Sequence, residues 1–193
     1  MAHTALRELI LESRAFTSLL GSVRLDGQRI PGAIEQRLPL LHLSDAPTFL
    51  RTVTVQAAHA AEDNGRTVDA VTLYHLAEEY DDVIRIINRA LSEAIAIDFG
   101  QEPVQPFEPS TAAQASLPLT TTENPVVLAK NLISLYNGNQ TYHSRIQPMN
   151  REACGVLLRM SEAKGLIETE KWAQALDVRV SISPVTKIEI RSS

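Results

Sequence analysis

The sequence predicts an all-α protein of stacked antiparallel helix hairpins, an α-solenoid fragment interrupted by one long Pro-rich loop. Apolar residues recur at the i, i+3, i+4, i+7 spacing of a helical face through most of the 193 residues. The run from Ala57 to Ile97 reads as a helix, an Asn-Gly corner and two amphipathic segments that meet at an acidic joint. Aromatic residues make up only 5% of the chain, which suits helices packed through Ala and Leu. A helix apolar over much of its circumference has to be covered on more than one side, so this hairpin must stack on neighbours.

The elements follow in order. Leu6, Leu9, Ile10, Phe16, Leu19 and Leu20 give a first helix its stripe, and Gly21 is placed to cap it. Pro31 opens a short helix through Ala33, Ile34, Leu38 and Leu41, and Pro39 should kink or split it. Ser44–Asp45 is an N-cap pair with Pro47 in the first turn of a helix that Ala57, Ala60 and Ala61 close and Asn64–Gly65 stops. Ala70, Leu73, Tyr74 and Ala77 mark one face of the next helix. Val83, Ile87, Ala90, Leu91 and Ala94 mark the helix after it, and Ile84, Ile86, Ile95 and Ile97 widen its apolar surface.

Between Phe99 and Pro125 lie five of the ten prolines, which reads as an exposed loop or linker. Helices resume with Val126, Leu128, Ala129, Leu132, Ile133 and Leu135, and Asn137–Gly138–Asn139 stops them. Val156, Leu157, Leu158 and Met160 mark a helix ending near Lys164–Gly165, and Leu166, Ile167, Trp172, Ala175 and Leu176 mark another. Gly65 and Gly165, each ending a helix ahead of an aromatic-bearing one, suggest a faint repeat. From Val178 to Ile190 the apolar period changes to two, as in a strand or an irregular tail. The expected division is a solenoid segment at 1–98, a loop or linker at 99–125, further helices of the same solenoid at 126–177 and an irregular or extended tail at 178–193.

Composition narrows the function. The chain is long enough to bury a core, and 44% hydrophobic with 21% charged residues is an ordinary globular balance. A net charge of −5 and no block of Lys or Arg argue against nucleic-acid binding. No apolar stretch approaches the ~20 residues that span a bilayer, so no membrane insertion is expected. The N-terminus reads as helix rather than signal peptide, and the lone Cys154 suits a reducing compartment. These features predict an intracellular chain, with Cys154 as a buried small hydrophobe.

The search for chemistry finds no catalytic, cofactor or metal site, so no small-molecule substrate and no cofactor is expected. The five histidines, at 3, 42, 59, 75 and 143, share no metal-ligand spacing. His75 with Glu78 and Glu79 could hold an ion on one helical face, but a solvated face is the better reading. Glu78, Glu79, Asp81 and Asp82 could serve as paired carboxylates, which would need a neighbour or pocket to raise one pKa. Asp81 and Asp82 more simply favour the positive end of the following helix. Tyr74, Tyr80 and Trp172 are candidate binding anchors, with packing between adjacent helices as the default. GxSxG, Walker and GxGxxG motifs are absent.

The run GRTVDAVTLYHLAEEYDDVIRIINRAL (Gly65 to Leu91) resembles the linker nucleoporin family of the nuclear pore inner ring, the nucleoporin-interacting component in its fungal form. RAFTSLLG (Arg14 to Gly21), DGQRIPGAIE (Asp26 to Glu35) and FLRTVTVQAA (Phe49 to Ala58) are similar to the same family in the same order. The resemblance covers about half the chain, and Val126 to Leu176 is compatible with it. It implies a non-catalytic scaffold at the nuclear envelope that contacts other inner-ring nucleoporins, in part through short linear motifs, and supports protein and mRNA transport. It also implies a fragment of a longer protein. The residues involved in protein binding are unknown at this point. A helical adaptor subunit of a vesicle coat or other trafficking complex shares the same architecture and stays open.

Overall fold

The structure, a computed structural model, describes residues 2–23, 29–41, 45–97 and 124–182. The described residues form ten helices and one two-stranded hairpin. In chain order these are α1 (Ala2–Ser13), α2 (Phe16–Leu20), β1 (Gly21–Val23), β2 (Arg29–Pro31) and α3 (Ala33–Arg37), followed by a 3-10 turn at Leu38–Leu41. Then come α4 (Ala46–Asp63), α5 (Thr67–Leu76), α6 (Tyr80–Ala96), α7 (Pro125–Asn137), α8 (Gln140–Ser144), α9 (Pro148–Glu168) and α10 (Trp172–Ile182). The expected all-α class holds. Asp45 caps α4 by accepting from the Thr48 N–H at 3.1 Å, and Pro47 sits in its first turn. Asn124 caps α7 in the same way, accepting from Val126 N–H, with Pro125 as the first helical residue. The rest of the expected loop, 98–123, lies outside the described residues.

The start of the chain departs from expectation. The single first helix is two, because Arg14 takes a positive φ of 51° and breaks the ladder between α1 and α2. Pro31 ends a strand rather than opening a helix: Ser22 pairs with Ile30 in an antiparallel hairpin, and α3 starts at Ala33 behind Gly32. The hairpin base needs both glycines. A Cβ on Gly21, whose φ is +93°, would fall 2.1 Å from the Ile30 carbonyl oxygen, and one on Gly32 would fall 2.3 Å from the Gly21 nitrogen. Pro39 does split its segment, since helical residues end at Arg37 and continue only as the 3-10 turn.

The end of the described chain departs too. Helix α9 runs through Gly165 to Glu168, so Leu166 and Ile167 belong to it and the expected Gly65/Gly165 repeat fails. Val178 to Ile182 continue α10 rather than forming an extended tail. Ala175, Val178 and Ile182 fall at i, i+3 and i+7, and this period outweighs the alternation of β-branched residues. Residues 183–193 lie outside the described ones.

A repeat does exist, at the corners. Asn64–Gly65–Arg66, Ala77–Glu78–Glu79 and Thr169–Glu170–Lys171 each join two helices through the same bonding. Arg66 donates to Ala61 O, Glu79 to Tyr74 O and Lys171 to Leu166 O, five residues back in every case. The middle residue takes φ of 71°, 61° and 59° respectively. This is the Schellman ending, in which a left-handed residue turns the last carbonyls toward backbone donors. Glycine is the usual occupant, and it is present at only one of the three.

Helix α5 is the centre of the packing. Every residue from Asp69 to Leu76 is buried, so it has no solvent face. It lies between α4 and α6, and α6 is covered in turn by α7 and α9, as its broad apolar surface requires. One apolar core runs from Ile10 in α1 to Cys154 in α9. Polar ties fix the neighbours. Asp69 meets Arg66 at 2.6 Å and Arg14 at 3.2 Å, and Arg66 also donates to Leu11 O, which pins the start of α5 to the end of α1. Arg29 donates to Leu76 O and Leu20 O and pairs with Glu35, which ties the hairpin to the end of α5. Lys164 of α9 donates to the Ala94, Ile95 and Ile97 carbonyls and so caps the end of α6.

Two substitutions should therefore stabilise the chain. Glu170→Gly relieves a left-handed non-glycine residue and is expected to gain about 1 kcal/mol. Gly165→Ala, where an added Cβ meets nothing within 4 Å, is expected to gain about 0.5–1 kcal/mol by restoring helix propensity. Urea midpoints of the two variants check both; a lowered midpoint for either contradicts the geometry.

Candidate functional site

The acidic joint between α5 and α6 is a structural junction. His75, expected on a solvated face, is instead 1% exposed. The reason is that α5 is enclosed on all sides, so no helical position on it from Asp69 onward reaches water. His75 stacks on Tyr136 of α7, with ring centroids 5.9 Å apart and planes within 6°, and its Nδ1 lies 2.9 Å from the Tyr136 hydroxyl. Tyr80 of α6 and Tyr142 of α8 meet both rings edge-on or tilted, with the two tyrosines 4.7 Å apart. Four helices thus contribute one ring each to a single cluster. Aromatic pairs in such arrangements add about 0.5–1.5 kcal/mol each beyond their buried area. Burial pushes the His75 pKa down to about 4 and holds the Tyr136 and Tyr80 hydroxyls protonated far above neutrality.

The carboxylates surround that cluster as fasteners. Glu78 pairs with Arg145 at 2.6 Å, and the Arg145 guanidinium also lies over the Tyr80 ring. Glu79 pairs with Arg51 of α4. Asp81 accepts from the Gln147 N–H and the Asn150 side chain, both at 2.9 Å, and so binds the start of α6 to the start of α9. Asp82 pairs with Arg85. Asp81 and Asp82 occupy the first turn of α6, where the helix end favours negative charge. Each carboxylate has a structural partner, and no pair of them shares an enclosed pocket. Among the described residues no group of three or more His, Cys, Asp or Glu side chains could hold a metal ion, and no helix is long and apolar enough to cross a membrane.

The candidate anchors divide. Tyr74 and Tyr80 are buried, as packing predicts. The Tyr74 hydroxyl sits 2.6 Å from His59 Nδ1 and donates to Glu62, whose carboxyl Arg85 holds below its usual range. Trp172 does not pack between helices: it is 59% exposed, as is Leu176 one turn later. Helix α10 has α9 as its principal neighbour among the described residues, and Trp172 and Leu176 lie exposed on it. On α9, Met149, Val156 and Met160 are exposed as well. Cys154 between them points inward and is buried, which pushes its thiol up to about 11 and leaves it a poor nucleophile. This open side of α9 and α10 is the candidate protein-binding surface. An apolar spacing cannot separate a face turned to the core from one turned outward, so these residues were readable from sequence only as helix formers. Tyr136 and Tyr142 gave no signal beyond ordinary helical positions.

The His75 cluster makes a pH dependence. The folded-state pKa lies below the unfolded value of about 6.5, so the unfolded chain binds the extra proton first as pH falls. The contribution is therefore complete above pH 7 and lost progressively between about 6.5 and 4. About 2 kcal/mol should disappear between pH 7 and 5. His75→Phe should flatten that part of the profile, measured by urea unfolding at each pH, even though the variant is less stable at pH 7. Tyr136→Phe should cost about 1–3 kcal/mol by removing the partner of a buried ring nitrogen.

The family model described as Nup93/Nic96 matches residues 1–193. The chain is 47% identical to nucleoporin NIC96 of Chaetomium thermophilum over 92% of its length, and 42% identical to nucleoporin NIC96 of Saccharomyces cerevisiae over 91%. It spans 17% and 20% of the lengths of those two relatives. Among solved structures, Chaetomium thermophilum Nic96 SOL superposes with a TM-score of 0.79 at 44% identity, covering 93% of this chain and 27% of that one. The enclosed hairpin from Ala57 to Ile97 and the helices stacked on it are thus shared with nucleoporins, and the chain belongs to the Nup93/Nic96 family.

Proposed function

We propose that this chain is a non-catalytic scaffold segment of the nuclear pore complex inner ring. In this reading it resides at the nuclear envelope, binds other nucleoporins, and supports pore assembly and the passage of protein and mRNA. The observation that carries the reading is the family match across the whole of residues 1–193. The architecture agrees with it, since the residues with chemical potential (His75, Cys154, Glu78, Asp81) are spent on packing, caps and ion pairs. Residues 1–98 and 126–177 act as one solenoid joined across 99–125, with the core continuous from α1 to α9 in support.

Partners in this reading include short linear motifs of neighbouring nucleoporins. A solenoid edge suits an extended or helical peptide, because it offers apolar pockets between helices without a deep cavity. The outward side of α10, with Trp172 and Leu176, has the composition of such a contact, as exposed aromatics often anchor protein interfaces.

Crosslinking mass spectrometry on assembled pores tests the assignment. Lys130 and Lys171, both exposed, are expected to link to other nucleoporins, and Trp172→Ala should reduce the Lys171 links at least severalfold. Recovery with soluble vesicle coats in place of nuclear envelopes would overturn the scaffold reading. So would a turnover activity lost on substitution of His75 or Glu78.

A further inference from the structure

Helix α9 carries an exposed seam that matches itself. Met149, Ala153, Val156 and Met160 are all exposed and follow one another at spacings of four, three and four. This is the spacing by which one helix presents a continuous seam to another. The inward positions of the same turns, Cys154, Leu157 and Leu158, belong to the core or pack against it, so the seam lies on a different face of the helix. Glu152 and Arg159, also exposed, flank it on one side and stand seven residues apart.

We propose that this seam pairs antiparallel with the same seam of a second copy of the chain. A two-fold axis between Ala153 and Val156 sets Met149 against Met160 of the other copy and Ala153 against Val156. The same axis brings Glu152 of each copy beside Arg159 of the other, so two opposite-charge pairs form on the flanks. A parallel arrangement instead carries the Glu152/Arg159 flanks of the two copies to opposite sides of the pair, so neither charge pair forms. Arg159 has five donors, enough to serve a neighbour in its own chain and a carboxylate across the seam. Ala153 adds little bulk that would hold the backbones apart. Such pairing needs only this chain and is independent of which assembly holds it.

Sedimentation equilibrium of the 193-residue chain over a range of concentrations tests the pairing. A monomer–dimer equilibrium is expected. Met160→Glu should weaken it more than tenfold, since it places a charge in the seam twice per dimer. Glu152→Arg and Arg159→Glu should each weaken it about fivefold or more, and the double variant should recover most of the loss. All these side chains are exposed, and an unchanged circular dichroism spectrum confirms that each variant folds. Orientation is read by oxidising a mixture of Ala153→Cys and Val156→Cys chains, which should crosslink to each other in preference to themselves. A chain that stays monomeric throughout overturns the proposal, whether the seam stays bare or another protein covers it. Charge reversals that do not compensate, or crosslinks between identical chains, overturn it as well.

Discussion

The four-ring cluster of His75, Tyr80, Tyr136 and Tyr142 is the constraint on which the rest of the architecture depends. It draws one side chain from each of α5, α6, α7 and α8 and encloses His75 and Tyr136, each 1% exposed. A neutral imidazole bonded to a tyrosine hydroxyl can be enclosed completely, whereas a charged one cannot. Helix α5 can therefore be covered on every side, and a helix covered on every side obliges its neighbours to be where they are. The ion pairs at Glu78, Glu79 and Asp81 then orient elements that the cluster has already brought together. They lie toward the surface, where such pairs add little to stability but restrict how helices meet.

Polar chemistry is spent in the same way elsewhere. Arg29, Arg66 and Lys164 all reach backbone carbonyls at or near helix ends, where four oxygens per helix lack intrahelical partners. Long cations are suited to this, because one flexible stem can serve several oxygens and favour the negative end of the dipole. The chain thus joins elements distant in sequence without large aromatic residues at each contact. This explains how a fold with so few aromatic residues can concentrate them in one place.

Much of this was legible in the residues. The boundaries of α4, the Asn64–Gly65 corner and the broad apolar surface of α6 follow from capping chemistry and spacing, and the family resemblance extended them to an architecture. What was not legible shares a cause. The break at Arg14, the corner at Glu170 and the continuation of α9 through Gly165 all reverse the usual preferences of glycine and non-glycine residues. Local propensity of about 1 kcal/mol is outweighed there by packing. The burial of His75 is not legible in its own segment, because its helix has no outside, a property of its neighbours. Trp172 is the opposite case: nothing in its own segment reveals that α9 is the principal neighbour of α10 among the described residues.

The three repeated corners have a mechanical consequence. Each joins two helices through three residues already held by hydrogen bonds to the preceding turn. Three residues stretched fully reach only about 10 Å, so a corner has almost no slack to release. Tension along the chain passes directly into the helix interfaces, where shearing apolar surfaces apart resists from the first ångström. A body built this way behaves as a stiff beam under small loads and yields abruptly under large ones, rather than extending like a spring.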